Sequence, residues 1–142
     1  MFKESTKFLV VDDFSNMRKI IKKVLSDLGY HNAVEAVDGQ NAYQLMSEGV
    51  KNNEPFEFII ADWNMPNMSG LDLLKKCRNE EPFKKIPFMM VTAESEQTQI
   101  LEALKVGVTE YVIKPFSAAK LKEKLESSYK KLNSGATKPK SA

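Results

Sequence analysis

The chain has 142 residues, 42% of them hydrophobic, with 21 lysines and arginines against 19 acids for a formal charge of +2. That length suits one domain with a sizeable core, and with Lys138 and Lys140 set aside in the last ten residues the remainder is balanced at 19 against 19, which offers no basic surface for DNA. The longest apolar runs span four residues and MFKESTK has no apolar stretch of its own, so neither a membrane span of roughly 20 residues nor a secretory signal is expected; with Cys77 alone there is no internal disulfide, and a cytoplasmic protein is the expectation.

The run Phe8 to Val11 reads as a buried strand and leads straight into Asp12 and Asp13. Two carboxylates brought within ~4 Å repel by up to about 4 kcal/mol at an effective dielectric near 20, a cost that something must offset. Met17, Ile20, Ile21, Val24, Leu25 and Leu28 then share one helix face, with Ser15 placed to cap it and Gly29 just past its end. A second strand, Ala33 to Ala36, precedes a helix carrying Ala42, Leu45 and Met46, followed by SEGVKNNEPF. The third run, Phe58 to Ala61, stops at Asp62, and Ser69 with Asp72 three residues on forms the N-terminal box of a helix with Leu73, Leu74 and Cys77. Phe88 to Val91 stops at Thr92, with Ile100, Leu101 and Leu104 marking a helix up to Gly107. The fifth run, Tyr111 to Ile113, stops at Lys114, and Ser117 caps a helix with Leu121, Leu125 and Tyr129. Residues 133–142, NSGATKPKSA, read as a disordered polar tail after a single domain spanning 1–132.

Five β-α units with near-continuous apolar strands predict an α/β domain, a doubly wound five-stranded parallel sheet with helices on both faces. Ligands of such sheets sit outside the carboxyl ends of the strands, where the chain places Asp12, Asp13, Asp62, Thr92 and Lys114. Three carboxylates, a hydroxyl and a lysine demand a hard cation. Mg²⁺ is commonly held by one or two carboxylates with phosphate oxygens completing its shell. Lys114 and Thr92 suit phosphoryl oxygens, Asp62 suits a nucleophile towards phosphorus, and Asp12 and Asp13 suit the metal. Any one aspartate could as well be a helix cap; five polar residues at the ends of four of the five apolar runs point to a site. Trp63, beside Asp62, is a candidate wall of that site. His31, Cys77 and the Met89–Met90 pair read as structural.

The stretches VVDDFSNMR, IIADWNMPNMSGLDLLKK, MMVTAE and YVIKPFSAAKLKEKL resemble the receiver domain of two-component response regulators, and among those the single-domain chemotaxis regulators, over about residues 6–132. The resemblance implies a flavodoxin-like fold and Asp62 as the residue phosphorylated by a sensor histidine kinase. It implies Mg²⁺ held by Asp12, Asp13, Asp62 and the Asn64 backbone carbonyl, with Thr92 and Lys114 at the phosphoryl group. It further implies Thr92 and Tyr111 as the switch, Trp63 and Glu94 at the site wall, and a cis Lys114–Pro115 peptide. The chain is then expected to be a monomeric switch, chemically limited to self-phosphorylation and self-dephosphorylation, that serves a flagellar motor switch protein and a phosphatase through its fourth helix, fifth strand and fifth helix. It departs from the pattern in Ser69, where aspartate is common, in the length of SEGVKNNEPF, and in Glu96 and Gln97, where chemotaxis members often carry lysines. The alternatives are a stand-alone receiver in another phosphorelay and a metal-dependent aspartyl-phosphate phosphohydrolase. Against the latter, DWN has no second aspartate two residues on; a flavin-nucleotide carrier is disfavoured by DDFSN, acidic where a phosphate-cradling loop needs glycines.

Overall fold

Because strand side chains alternate in direction, each apolar run of this chain serves two cores at once. The computed structural model describes residues 2–93 and 97–133, Gln97 without its side chain. It contains β1 (Phe8–Val11), α1 (Ser15–Asp27), β2 (Ala33–Ala36), α2 (Gly39–Lys51), β3 (Phe58–Asp62), α3 (Gly70–Arg78), β4 (Phe88–Thr92), α4 (Gln97–Val106), β5 (Glu110–Ile113) and α5 (Ala118–Asn133). The strands form one parallel sheet in the order β2-β1-β3-β4-β5, as the β-α pattern predicts. Leu9, Ile59, Phe88 and Met90 pack with α2, α3 and α4 on one face; Phe8, Val10, Phe58, Ile60 and Met89 pack with α1 and α5 on the other. No helix among the described residues is long and apolar enough to cross a membrane.

The caps show which helix ends are set locally. Ser69 accepts from the Asp72 amide at 3.1 Å and Ser117 from the Lys120 amide at 3.0 Å, both as expected. At Gly29, φ is +98°, and the Tyr30 and Gly29 amides reach back to the Leu25 and Ser26 carbonyls at 2.9 and 3.0 Å, the paired bonds of a glycine-terminated helix. Ser15 is a correction: it lies inside α1, and Phe14 is the N-cap with no side-chain cap bond. The cause is Asp12, whose Oδ1 accepts from the Phe14 amide at 2.9 Å and turns the chain one residue early. The stretch SEGVKNNEPF is less of a loop than it reads, because α2 continues through Lys51. The fourth helix departs further from expectation: Leu101 and Leu104 are 56% and 48% exposed, while Ala103 is buried. At 3.6 residues per turn, a helix seated through Ala103 and Val106 turns Leu101 outward. Asn133, the first residue of the expected tail 133–142, is instead the last of α5, its Nδ2 donating to the Tyr129 carbonyl at 2.9 Å; Glu96 and residues 134–142 lie outside the described residues.

Glu110, the first residue of β5, is 5% exposed, and α5 supplies its partners: Ser127 Oγ donates at 2.6 Å, with Lys131 Nζ at 3.0 Å and Lys124 Nζ at 3.6 Å. Burial would raise this carboxyl, but the bonds from Ser127 and Lys131 outweigh it and hold it below its ordinary value. An acid lowered by folding stabilises the protein above its unfolded value, and that stabilisation is lost as pH falls through the folded one. Glu110→Ala should therefore cost about 2 kcal/mol at neutral pH, with the gap from wild type narrowing on acidification. Denaturant titrations at two pH values that show the same gap would contradict the ion-pair account.

Candidate metal and phosphoryl site

The register of the central strands builds this site. β1 pairs with β3 as Val11 with Ala61, so the next residues, Asp12 and Asp62, come to the carboxyl edge abreast. They continue the parity of Val10 and Ile60 and hence point to the α1/α5 face. Lys114 continues the parity of Val112 on β5, held by its amide bond to the Thr92 carbonyl at 2.7 Å, and the Lys114–Pro115 peptide that follows is cis, as the resemblance implies. Its Nζ stands 3.1 Å from Asp62 Oδ1 and 3.6 Å from Asp12 Oδ2.

Asp12 is fully buried and Asp62 is 4% exposed, while Asp13 is open to solvent. One oxygen from each lies within 4.8 Å of the others. Among the described residues Lys114 is the cation that pairs with Asp12 and Asp62, so the formal charge of the three carboxylates exceeds that of their ion-pair partner by two. Burial, followed by the Asp12 charge, pushes the Asp62 carboxyl above its ordinary value; Lys114 opposes both. Among the described residues Asp12 Oδ2 is buried with no hydrogen-bond partner, Lys114 Nζ standing off at 3.6 Å, a state that costs a neutral group about 1–3 kcal/mol and a charged one more. A hard divalent cation, which takes oxygen ligands, fits this donor set and would satisfy that atom.

The remaining sequence-predicted residues divide by parity. Thr92 continues Phe88 and Met90 on the other face, where its Oγ1 lies 3.5 Å from Gln99 Oε1 of α4. Tyr111, opposite Met90 in the register, is half-buried on that same face with Lys124 Nζ 4.9 Å from its ring centre. The Trp63 ring is buried and belongs to the core cluster that holds Met90 and Leu71. The Trp63 amide bonds the Val91 carbonyl at 2.8 Å and also lowers Asp62. Asn64 is exposed in the loop after β3. Glu94 lies outside the described residues.

Sequence reasoning missed Arg18. Its Nη1 donates to the Asp12 carbonyl at 2.7 Å and its Nε to Glu35 Oε1 at 2.6 Å, so it braces the acidic turn against β2. The Arg18 bond, with burial opposing and Lys22 assisting, holds the Glu35 carboxyl below its ordinary value. The one available signal was Glu35 itself, a charge inside the otherwise apolar AVEA strand.

Comparison with known proteins agrees with this geometry. The family model described as the response regulator receiver domain matches residues 8–126. Chemotaxis protein CheY-3 of Vibrio cholerae is 47% identical over 129 residues, spanning 91% of this chain and 95% of that protein. Chemotaxis protein CheY of Pseudomonas aeruginosa is 49% identical over 127 residues, spanning 89% and 98%. Among solved structures, the chemotaxis response regulator CheY4 of Vibrio cholerae superposes with a TM-score of 0.75 at 32% identity, covering 87% of this chain and 98% of that one. The chain belongs to the response regulator receiver domain family, and within it is similar over most of its length to these chemotaxis proteins.

Proposed function

We propose that Asp62 is the phosphoacceptor, that Asp12, Asp13, Asp62 and the Asn64 carbonyl hold Mg²⁺, and that Thr92 and Lys114 receive the phosphoryl oxygens. The observation that carries this reading is the buried Asp12–Asp62 pair with Lys114 as its close cation. One Asp62 oxygen attacks phosphorus, the bond from phosphorus to the donor's imidazole nitrogen breaks, and its electron pair leaves with the imidazole. Lys114, already 3.1 Å from the attacking group, remains to balance the transferred charge. When bound, Mg²⁺ supplies further neutralisation of the phosphoryl oxygens. The donor in this reading is a chemotaxis histidine kinase, the outputs are a flagellar motor switch protein and a phosphatase, and the setting is the cytoplasm. The chain turns over no substrate beyond its own phosphorylation and dephosphorylation.

Mg²⁺ titration should change the emission of Trp63, the only tryptophan, because its peptide adjoins Asp62. Asp13→Asn should weaken the affinity roughly tenfold, about 1.4 kcal/mol. Calorimetry that finds no binding at millimolar Mg²⁺ removes the premise.

Phosphorylation adds close to two negative charges, and only differential contacts with two states can turn them into a signal. Thr92 now faces α4; movement of its hydroxyl towards the phosphoryl group opens room on the face where Tyr111 packs. The exposed Leu101 and Leu104 on α4 support that face as the partner surface. Thr92→Ala and Tyr111→Ala should each leave Asp62 reactive yet reduce the rise in partner affinity on adding beryllofluoride. An unchanged affinity ratio in both variants would mean that the signal leaves the site another way.

A further inference from the structure

The carbonyl assigned to the cation sits on Asn64, in the loop of residues 63–69 between β3 and α3. Both ends of that loop are pinned: the Trp63 amide bonds the Val91 carbonyl at 2.8 Å, and the Gly70 amide bonds the Trp63 carbonyl at 2.8 Å. Its middle is attached sideways to the start of α2. Asn67 Nδ2 donates to Asp38 Oδ2 at 2.8 Å, while the other oxygen of the same carboxylate, Oδ1, accepts from the Asn41 amide at 2.8 Å. Beside this pair the loop lies so close that a Cβ on Gly39 would stand 2.7 Å from the Met68 carbonyl oxygen. Asn67 has φ +67°, a backbone state that asparagine tolerates better than most side chains.

Capping α2 requires one acceptor, and serine would supply it as well as aspartate. The second oxygen of Asp38 is spent on a loop that α2 does not need. We propose that Asp38, acting through Asn67, is a positioning residue for the metal site: it holds the β3–α3 loop where the Asn64 carbonyl and the Asp62 carboxylate face one cation. Mg²⁺ demands near-ideal octahedral geometry at about 2.0–2.1 Å, so a loop free to shift by a few tenths of an ångström loses that ligand for part of the time. Asp38 thereby sets how much Mg²⁺ the receiver needs before Asp62 reacts. This inference rests on the Mg²⁺ reading above and adds to it two residues outside the donor set.

Two substitutions separate the clamp from the cap and from the backbone. Asp38→Ser keeps an N-cap acceptor but has one oxygen, and Asn67→Gly keeps the positive φ but has no amide. Each should weaken Mg²⁺ binding, measured by calorimetry on the full chain, roughly tenfold, while labelling by acetyl phosphate at saturating Mg²⁺ returns close to the wild-type rate. The double variant should bind no more weakly than either single one, since both remove the same contact. Wild type that binds no Mg²⁺ would overturn the metal reading and this inference together. Wild-type binding with both variants at wild-type affinity would overturn the inference alone. Losses that add in the double variant would show that the two residues act separately, against the clamp.

Discussion

Asp62→Asn should reduce phosphoryl incorporation from acetyl phosphate to background, where wild type gains one phosphoryl mass that base and hydroxylamine remove. An amide has neither the charge nor the basicity to attack phosphorus, and Asp12, the other buried carboxylate of this cluster, is braced with its backbone carbonyl on Arg18 and one oxygen on the Phe14 amide. Hydroxylamine-labile mass retained in the variant would show that Asp12 or Asp13 carries the chemistry. The substitution also tests the electrostatics of the site. The Asp62 carboxyl is raised on folding by burial and by Asp12, so the native state holds its proton more tightly than the unfolded chain. Ionising it therefore lowers stability as pH rises from the unfolded value through the folded one. At neutral pH without divalent cations, Asp62→Asn should raise the thermal midpoint, and adding Mg²⁺ should stabilise wild type more than the variant. A lowered midpoint in the metal-free variant would contradict this account of the acidic cluster.

Gly70→Ala should be the most damaging single-methyl change near the site. A Cβ at Gly70 would stand 2.3 Å from the carbonyl oxygen of Asp62 and 2.8 Å from Met90 Sδ. The sulfur can move; the carbonyl belongs to a strand paired on both sides, by β1 and by β4. Relief has to come from shifting the start of α3, which breaks the Gly70 amide bond to Trp63, or from displacing Asp62, the proposed nucleophile. Such overpacking costs about 3 kcal/mol or more. Chemical denaturation should show that loss, and the labelling rate of the folded fraction should fall with it. Wild-type stability in Gly70→Ala would mean that the α3 junction is looser than the structure has it.

The strands and most of the caps were legible in the chain alone because their causes are local. A parallel strand buried on both faces needs a continuous apolar run, and each of the five runs became a strand within one residue of its expected bounds. Ser69, Ser117, Gly29 and Gly107 act on atoms a few residues away, so their neighbours in sequence announce them. Phe14 is the instructive exception, since the end of α1 is set by a carboxylate whose orientation belongs to the site. The outward Leu101 shows a second limit: periodicity identifies a stripe on a helix, but what covers that stripe is decided by the sheet.

Asp12, Asp13, Asp62, Thr92 and Lys114 could be nominated from sequence because each follows an apolar run, and a sheet whose strands all run one way gathers such positions at one edge. Their division could not. The β1–β3 and β4–β5 registers place Asp12, Asp62 and Lys114 on one face and Thr92 with Tyr111 on the other, and they leave the Trp63 ring in the core. The contacts that brace the site are likewise tertiary: Arg18 to Glu35, Ser127 to Glu110, and Asn67 to Asp38 across 29 residues. Composition and spacing thus determined five β-α units and an acidic edge that calls for a cation. How closely those carboxylates approach, which face the Thr92 hydroxyl takes and which residues hold the loops followed only from folding, because hydrogen bonds between residues distant in the chain leave no periodic trace in it.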